Sequence, residues 1–502
     1  MRRRVAPLAT AVPPDNGIDP GKGLGSVSTF LDALAGFLPS DRLRIGAMER
    51  HLYSHDASNL SEEPIAVCFP ESADEVRRIV ETCVAHDRPF VARGSGTGLT
   101  GGATPAPGSV VISTVRMNRV LEIDEVTRTA WVEPGVLNLD LSRRVAEFGR
   151  PHGLHFAPDP SSQQSCSIGG NVANNSGGPH CLSDGVTTAH VLAIDVVLPD
   201  ASTARLGGTA AEIPGYDLRG VFVGSEGMFG VAVAVLVRLT QNPSHVSTML
   251  IDFVDVADGA DTVSAIIADG MVPAALEMMD RLCIAAVEEY VHAGLPVDAA
   301  AVLLVETTGD AARVAADSRR IGEIALAHRA RHVRVAADDA ERALLWKGRK
   351  SAFGAVARIA PNYYLHDTVV PRHRLTEVLA GVYEIAERHR LMVMNVFHAG
   401  DGNLHPILVF DRREDGVMDR VHAAGEEIVR LSVECGGVLS GEHGIGLEKR
   451  DLMPLLFDDH VLRAQELLRS VFDPGRLANP GKVLPTAASC GDLQSVPEGS
   501  WI

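Results

Sequence analysis

Arg93-Gly-Ser-Gly-Thr-Gly-Leu-Thr-Gly-Gly102 is the stretch whose reading decides the fold class. Gly96-x-Gly98-x-x-Gly101 has the spacing of a dinucleotide fingerprint. That fingerprint needs a strand before it and a helix directly after it, so that a pyrophosphate rests on the helix N-terminus. The upstream half is met, because Pro89 to Arg93 reads as a strand. The downstream half is not. The loop runs into Ala103-Thr-Pro-Ala-Pro-Gly108 and then into the apolar run Val110 to Ser113. No helix opens there, and the Rossmann reading is rejected. The chemistry still favours a phosphate, since consecutive glycines expose backbone N–H groups and Ser95, Thr97 and Thr100 add hydroxyl donors. An ordinary glycine turn stays open beside it.

Outward from this loop the pattern is α/β. Ile65 to Phe69 reads as a strand, and Ser72-Ala-Asp-Glu75 as a capping box opening a helix to about Ala85. Further strands are expected at 121–124, 129–133, 191–198 and 231–239, with a helix from Asn138 to Phe148. Residues 157–188 are dense in Gly, Asn, Ser, Pro and Asp, a long irregular stretch of the kind that carries function. Asn242-Pro-Ser244 reads as a domain boundary. Beyond it, strands near Ile251, Leu276, Leu303, Val333 and Val393 alternate with helices, which predicts an antiparallel sheet covered on one face. The chain thus divides into a partly disordered leader (1–40), a first domain (41–242), a second domain (243–415), a helical segment returning to the first (416–485) and a tail (486–502). The fold class is α+β.

Composition narrows the function. The 502 residues carry a formal charge of -18, which repels phosphate backbones and argues against nucleic acid as a partner. No apolar run approaches the ~20 residues of a membrane span. The arginine-led N-terminus lacks the apolar core of a secretory signal. The seven cysteines are scattered and never form Cys-x-x-Cys, which suits a reducing cytoplasm and leaves no iron–sulfur ligand set in this chain.

Two more glycine-rich stretches follow the first. One holds Pro158-Asp159-Pro-Ser161-Ser162, Gly169-Gly170-Asn171 and Asn174-Asn-Ser176-Gly177-Gly178; the other is Gly224-Ser-Glu226-Gly-Met-Phe-Gly230, leading into Val231. Three such stretches in this order resemble the two-subdomain FAD-binding domain of vanillyl-alcohol oxidase-type flavoproteins. The resemblance implies that Arg93, Gly94, Ser95, Gly96, Thr97, Gly98, Gly101 and Gly102 hold the pyrophosphate. It implies that Pro158, Asp159, Ser161, Ser162, Gly169, Gly170, Asn171, Asn174, Ser176, Gly177 and Gly178 line the isoalloxazine. Glu226, Gly230, Val231 and Asn479 complete the cofactor set. The first loop has no His or Cys, so FAD is expected to be non-covalent.

Asn395-Val-Phe-His398-Ala-Gly-Asp-Gly-Asn-Leu-His405 carries the strongest chemical signal. Asp401-Gly402 between apolar runs is a hairpin turn signal. With those two residues at the tip, 398 pairs with 405, and both imidazoles share one face with Cβ atoms ~5 Å apart. A pair of structural histidines would look the same. Ser440-Gly-Glu442-His443-Gly-Ile-Gly446 supplies a third ligand, making a two-His, one-carboxylate site with open positions. Zn²⁺ is the first expectation, with Mn²⁺ or Fe²⁺ as alternatives.

Together these segments resemble the FAD-linked 2-hydroxy-acid dehydrogenases and oxidases, a family that includes D-lactate and D-2-hydroxyglutarate dehydrogenases and the catalytic D subunits of bacterial glycolate oxidases. Pro158-Asp-Pro-Ser-Ser-Gln163, Leu276-Glu-Met-Met-Asp280 and Trp346-Lys-Gly-Arg-Lys350 point most toward the last group. The resemblance implies a metal on His398, His405 and Glu442, His443 as general base, Arg349 on the substrate carboxylate and hydride passage to the N5 atom of the flavin. Phe353, Leu365 and Ile407 stand where hydroxyglutarate-oxidising relatives carry polar groups, which implies a small monocarboxylate such as glycolate or D-lactate. D-2-hydroxyglutarate oxidation and a non-redox flavin transferase stay as alternatives. Companion flavin and iron–sulfur subunits, peripheral attachment at the inner membrane through them, and a homo-oligomer are further expectations.

Overall fold

Short, fully apolar strands force burial on both faces, and the first subdomain is built on three of them. In the computed structural model, which describes residues 25–58, 60–210 and 214–486, Ala66–Cys68, Val110–Ser113 and Phe90–Arg93 lie parallel in that order. Leu43–Arg44 is antiparallel at the edge. Ser72 caps the helix Ala73–Ala85 by accepting from Glu75 N at 3.2 Å. Val76, Ile79, Val80 and Cys83 form its inward stripe. The expected box is one-sided, because the Glu75 carboxylate accepts from Glu71 N at 2.8 Å rather than from Ser72. Residues 94–109 form no helix, as the prolines required.

Part of the leader is ordered. Residues 1–24 lie outside the described residues, as does the tail from 487, but helix Gly25–Ala35 is folded. Phe30, Leu34 and Leu38 recur every four residues and pack fully buried against Cys68, Ile79 and Cys83.

The second subdomain is a five-stranded antiparallel sheet in the order Val120–Asp124, Thr129–Val132, Val231–Arg238, Val191–Val197, Thr203–Gly207. Helix Asn138–Val145 ends sooner than expected. The stretch 157–188 is less irregular than its composition suggested. Ser167 accepts from Gly170 N at 3.3 Å and starts a helix over Ile168–Asn174.

Beyond residue 244 lies a large antiparallel sheet. His332–Val335, His245–Phe253, Ala301–Gly309, Ala275–Asp280 and Met392–His398 run side by side, followed by Asn403–Leu404 and Thr368–Val369. Pro406–Phe410 pairs with both Met392–His398 and Asn362–Leu365. The one-face expectation is wrong. Met249, Ile251 and Phe253 pack with helices Val256–Ala268, Ala311–Ala327 and Leu375–Arg388 on one side. Leu250, Met279, Val302 and Leu304 pack with helices Arg281–Val291 and Asp339–Lys350 on the other. A sheet covered twice has unbroken apolar strands, so alternation gave no sign of the second layer.

The helix Asp459–Phe472 carries the chain back to the first domain. Phe472 stacks on Phe229 at 4.5 Å, and buried Arg469 donates to the carbonyls of Met228 and Ala478. Asn479 N then donates to Phe90 O at 2.7 Å, laying the chain end along the strand that feeds the glycine loop.

Candidate functional site

The three glycine-rich stretches converge on one cavity of about 470 Å³. Arg93, Gly94, Ser95, Gly96, Thr97, Gly98 and Gly102 line it from the first stretch. Ser161, Ser162, Gly169, Gly170, Asn171, Asn174 and Ser176 line it from the second, and Glu226, Gly230 and Val231 from the third. The cradle depends on missing side chains. A Cβ on Gly94 would collide with Ser167 Oγ, and one on Gly96, whose φ is +72°, with the Arg93 guanidinium beneath it.

Six residues expected at the cofactor do not line the cavity. Gly101 packs against Leu60 and Leu447. Pro158 turns its carbonyl to Asn138 Nδ2 at 2.8 Å. Asp159 pairs with His180 at 2.9 Å and Lys350 at 3.6 Å. Gly177 and Gly178 are filler positions, where a Cβ would strike Cys181 and Glu442, or Asp159. Asn479 staples two stretches together, donating to Gly102 O at 2.8 Å and Glu226 O at 2.6 Å. The second domain adds lining residues that glycine patterns could not signal: Lys350 and Phe353 from helices, Tyr363 and Leu365 from the strand Asn362–Leu365.

Glu442 and His443 open onto the same cavity. Behind them, His398, His405 and Glu442 present ligand atoms within 4.8 Å of one another. His398 Nε2 lies 3.2 Å from Glu442 Oε1, and the two imidazole centroids are 5.0 Å apart. The hairpin register differs from expectation. His398 pairs with Asn403 and Asn395 with Pro406, so the loop is 399–402 and His405 sits two places along from the partner of His398. A shift of two keeps side chains on the same face, and the histidines still meet.

Several buried atoms lack partners. Neither ring nitrogen of His405 makes a hydrogen bond, Nε2 standing 3.5 Å from Asp367 and Glu442 oxygens, and Glu442 Oε2 has none either. A cation could take one nitrogen of His405 together with Glu442 and His398, so the donor set fits a divalent metal.

Two carboxylates that sequence reasoning missed set this geometry. Glu277 faces His398 in strand register and binds its Nδ1 through both oxygens, at 2.8 and 2.9 Å. That turns Nε2 toward Glu442. Burial disfavours charging His398, but Glu277 and Glu442 outweigh it and hold its pKa well above the usual value. Burial alone would lift Glu442, yet His398 brings it down to about 2. Asp367 gathers the other loop, accepting from Ser440 Oγ at 2.5 Å and from the backbone N–H groups of Gly441, Glu442 and His443 at 2.9–3.2 Å. Burial works against its charge, but nearby cationic and donor groups, Lys449 among them, hold its carboxyl well below the usual range. Glu277 was legible only as an acid inside a mostly apolar strand, and Asp367 only as an acid between two short ones.

His443 stacks on His405 at 5.0 Å, its Nδ1 lying 3.9 Å from Asp367. Burial pushes it down to about 4, leaving a neutral imidazole able to take a proton. Arg349 lies outside the cavity lining. Its guanidinium is 2.6 Å from Glu277 and 3.5 Å from His398 Nδ1, and its Nε has no partner.

A family model described as "FAD linked oxidases, C-terminal domain" matches residues 242–483, and one described as "FAD binding domain" matches 64–207. Glycolate oxidase subunit GlcD of Escherichia coli (strain K12) is 43% identical over 469 residues, 93% of each chain. D-lactate dehydrogenase of Anaerostipes hadrus is 29% identical across 88% of this chain and 94% of its own. Among solved structures, 4-ethylphenol oxidase from Gulosibacter chungangensis superposes with TM-score 0.78 at 20% identity, over 93% of this chain and 99% of that one, a likeness of fold.

Proposed function

We propose, from the premise that this chain belongs to the family of FAD-linked oxidases that includes the GlcD subunits of glycolate oxidase, that it oxidises glycolate or D-lactate to the 2-oxo acid with the help of a divalent cation. One observation carries this: a buried His-His-Glu cluster, in which His405 and Glu442 Oε2 lack partners, opens through Glu442 and His443 onto the cavity the glycine stretches line. When bound, FAD accepts the hydride and a cation on His398, His405 and Glu442 acts as Lewis acid toward the substrate oxygens. Zn²⁺ suits the ligand set, with Mn²⁺ or Fe²⁺ as substitutes. His443, held neutral, takes the hydroxyl proton. Asp367 fixes the loop that aims it, and Glu277 fixes the tautomer of His398. Arg349, expected on the substrate carboxylate, lies outside the cavity lining and serves by holding Glu277.

A small acid is favoured over D-2-hydroxyglutarate because Phe353 and Leu365 line the cavity, and Ile407 pairs with Leu365 in register. No polar group on those three positions would hold a second carboxylate. The designation of the relatives as subunits supports companion chains, which we expect to be flavin and iron–sulfur proteins carrying electrons away at the inner membrane. No helix among the described residues is long and apolar enough to cross a membrane.

Anaerobic titration of the holoenzyme with glycolate, both lactate enantiomers and D-2-hydroxyglutarate, followed at about 450 nm, tests the reading. Bleaching by glycolate or D-lactate is expected. Colour that survives all four acids would point to a transferase. Turnover that survives complete chelation would remove the Lewis-acid role.

A further inference from the structure

Arg349 and Lys350 are neighbours on the helix Asp339–Lys350, and one residue along an α-helix turns a side chain by ~100°. The turn separates their surroundings. Arg349 points back into the sheet, is 1% exposed and is committed to Glu277. Lys350 points into the cavity with its side chain 37% exposed. Among the described residues, Arg93 and Lys350 are the two Lys or Arg residues in the cavity lining. The Arg93 guanidinium is folded under Gly96 and donates to His55 O at 2.7 Å. Lys350 faces the cavity from the second domain. Its Nζ lies 3.6 Å from Asp159 Oδ2. Asp159 packs on Gly178, and Gly177 beside it packs on Glu442. The ammonium therefore shares a wall with the proposed metal ligand and base.

We infer that Lys350 is a specificity residue, supplying the cavity-facing contact to the carboxylate of the substrate while Asp159 aims it. A basic residue in the last turn of a helix is common for its effect on the helix dipole alone. That explanation does not require the side chain to reach across to the flavin domain, and Lys350 does. Asp159 can release it without being stranded, because His180 Nδ1 holds the same carboxylate at 2.9 Å. The ammonium is then free to exchange one anion for another. The inference rests on the 2-hydroxy-acid reading.

The test uses the flavin-loaded enzyme and 2-hydroxy-2-methylpropanoate, an acid with no hydrogen on its carbinol carbon and so no route to oxidation. Binding is read from the change in flavin absorbance. The uncharged amide of the same compound is the control. In Lys350→Met the dissociation constant of the acid should rise about 10- to 100-fold, the worth of a charge-assisted hydrogen bond. That of the amide should not move. KM for glycolate should rise in step with kcat nearly unchanged, and Lys350→Arg should recover most of the affinity. Equal loss of acid and amide would mean a packing role and overturn the inference. So would unchanged acid binding, or a shifted flavin midpoint potential with unchanged affinity. Wild-type flavin that no 2-hydroxy acid reduces would sink the underlying reading, and the inference with it. Reduction in the wild type with an indifferent Lys350→Met would sink the inference alone.

Discussion

Glu277 commits both carboxylate oxygens to His398 and one of them to Arg349, at full burial. It touches none of the atoms that would meet substrate, yet it decides which imidazole nitrogen faces Glu442. Glu277→Gln keeps the shape but loses the charge, and metal affinity should fall about 10- to 100-fold. Metal content after dialysis against graded chelator measures this; full retention would show that the orientation is held elsewhere. At this scale the sequence was half legible. His398, His405 and Glu442 stood out because glycines surround them. Glu277 and Asp367 did not, because each is a single acid whose partners lie far along the chain, 121 residues away for Glu277 and 73 or more for Asp367. No local spacing encodes such a pair.

At the scale of the element, the Ala399–Gly402 loop sets how the two imidazoles approach. Gly402 has φ +82°, and a Cβ there would collide with the carbonyl of Val370. Gly402→Ala should cost about 1–3 kcal/mol and loosen the metal as well, because the loop must open to accept it. Urea unfolding alongside metal content tests both; stability lost with metal fully kept would uncouple turn from site. The turn signal placed the hairpin but missed its register by two residues. Only the parity of a register is written in which residues are apolar, and parity was enough to bring the histidines together. The layers of the large sheet were less legible. A strand such as Met249–Phe253, buried on both sides, has no alternation to read.

Across the whole molecule, His180 joins the domains. Its Nδ1 holds Asp159 at 2.9 Å and its Nε2 approaches Glu306 at 3.2 Å, which Trp346 Nε1 also holds at 2.6 Å. Burial works against charging His180, but the two carboxylates outweigh it and raise its pKa well above the usual value. Asp159 and Glu306 are lowered, since His180 overcomes their burial. The raised histidine stabilises fully below its unfolded pKa of ~6.5 and fades as pH rises through its folded value. The lowered carboxylates stabilise above about 4–4.5 and fade as pH falls through their folded values. The clamp is therefore strongest between these limits. His180→Gln should destabilise by on the order of 3 kcal/mol near pH 5.5 and by progressively less toward alkaline pH. Urea midpoints across pH check this, and a pH-independent difference would rule out the ionic clamp.

The loop 440–446 is gripped from two directions. Asp367 of the large sheet holds its first half, and Glu226 of the flavin domain accepts from Ile445 N at 2.6 Å and Gly446 N at 2.8 Å. Thr100 and Asn174, from the glycine stretches, both donate to the carbonyl of His443. Whatever loosens the nucleotide cradle therefore also slackens the strap that carries Glu442. An ion held by Glu442, as proposed, should then escape faster once the flavin is stripped, and be lost with it rather than after it.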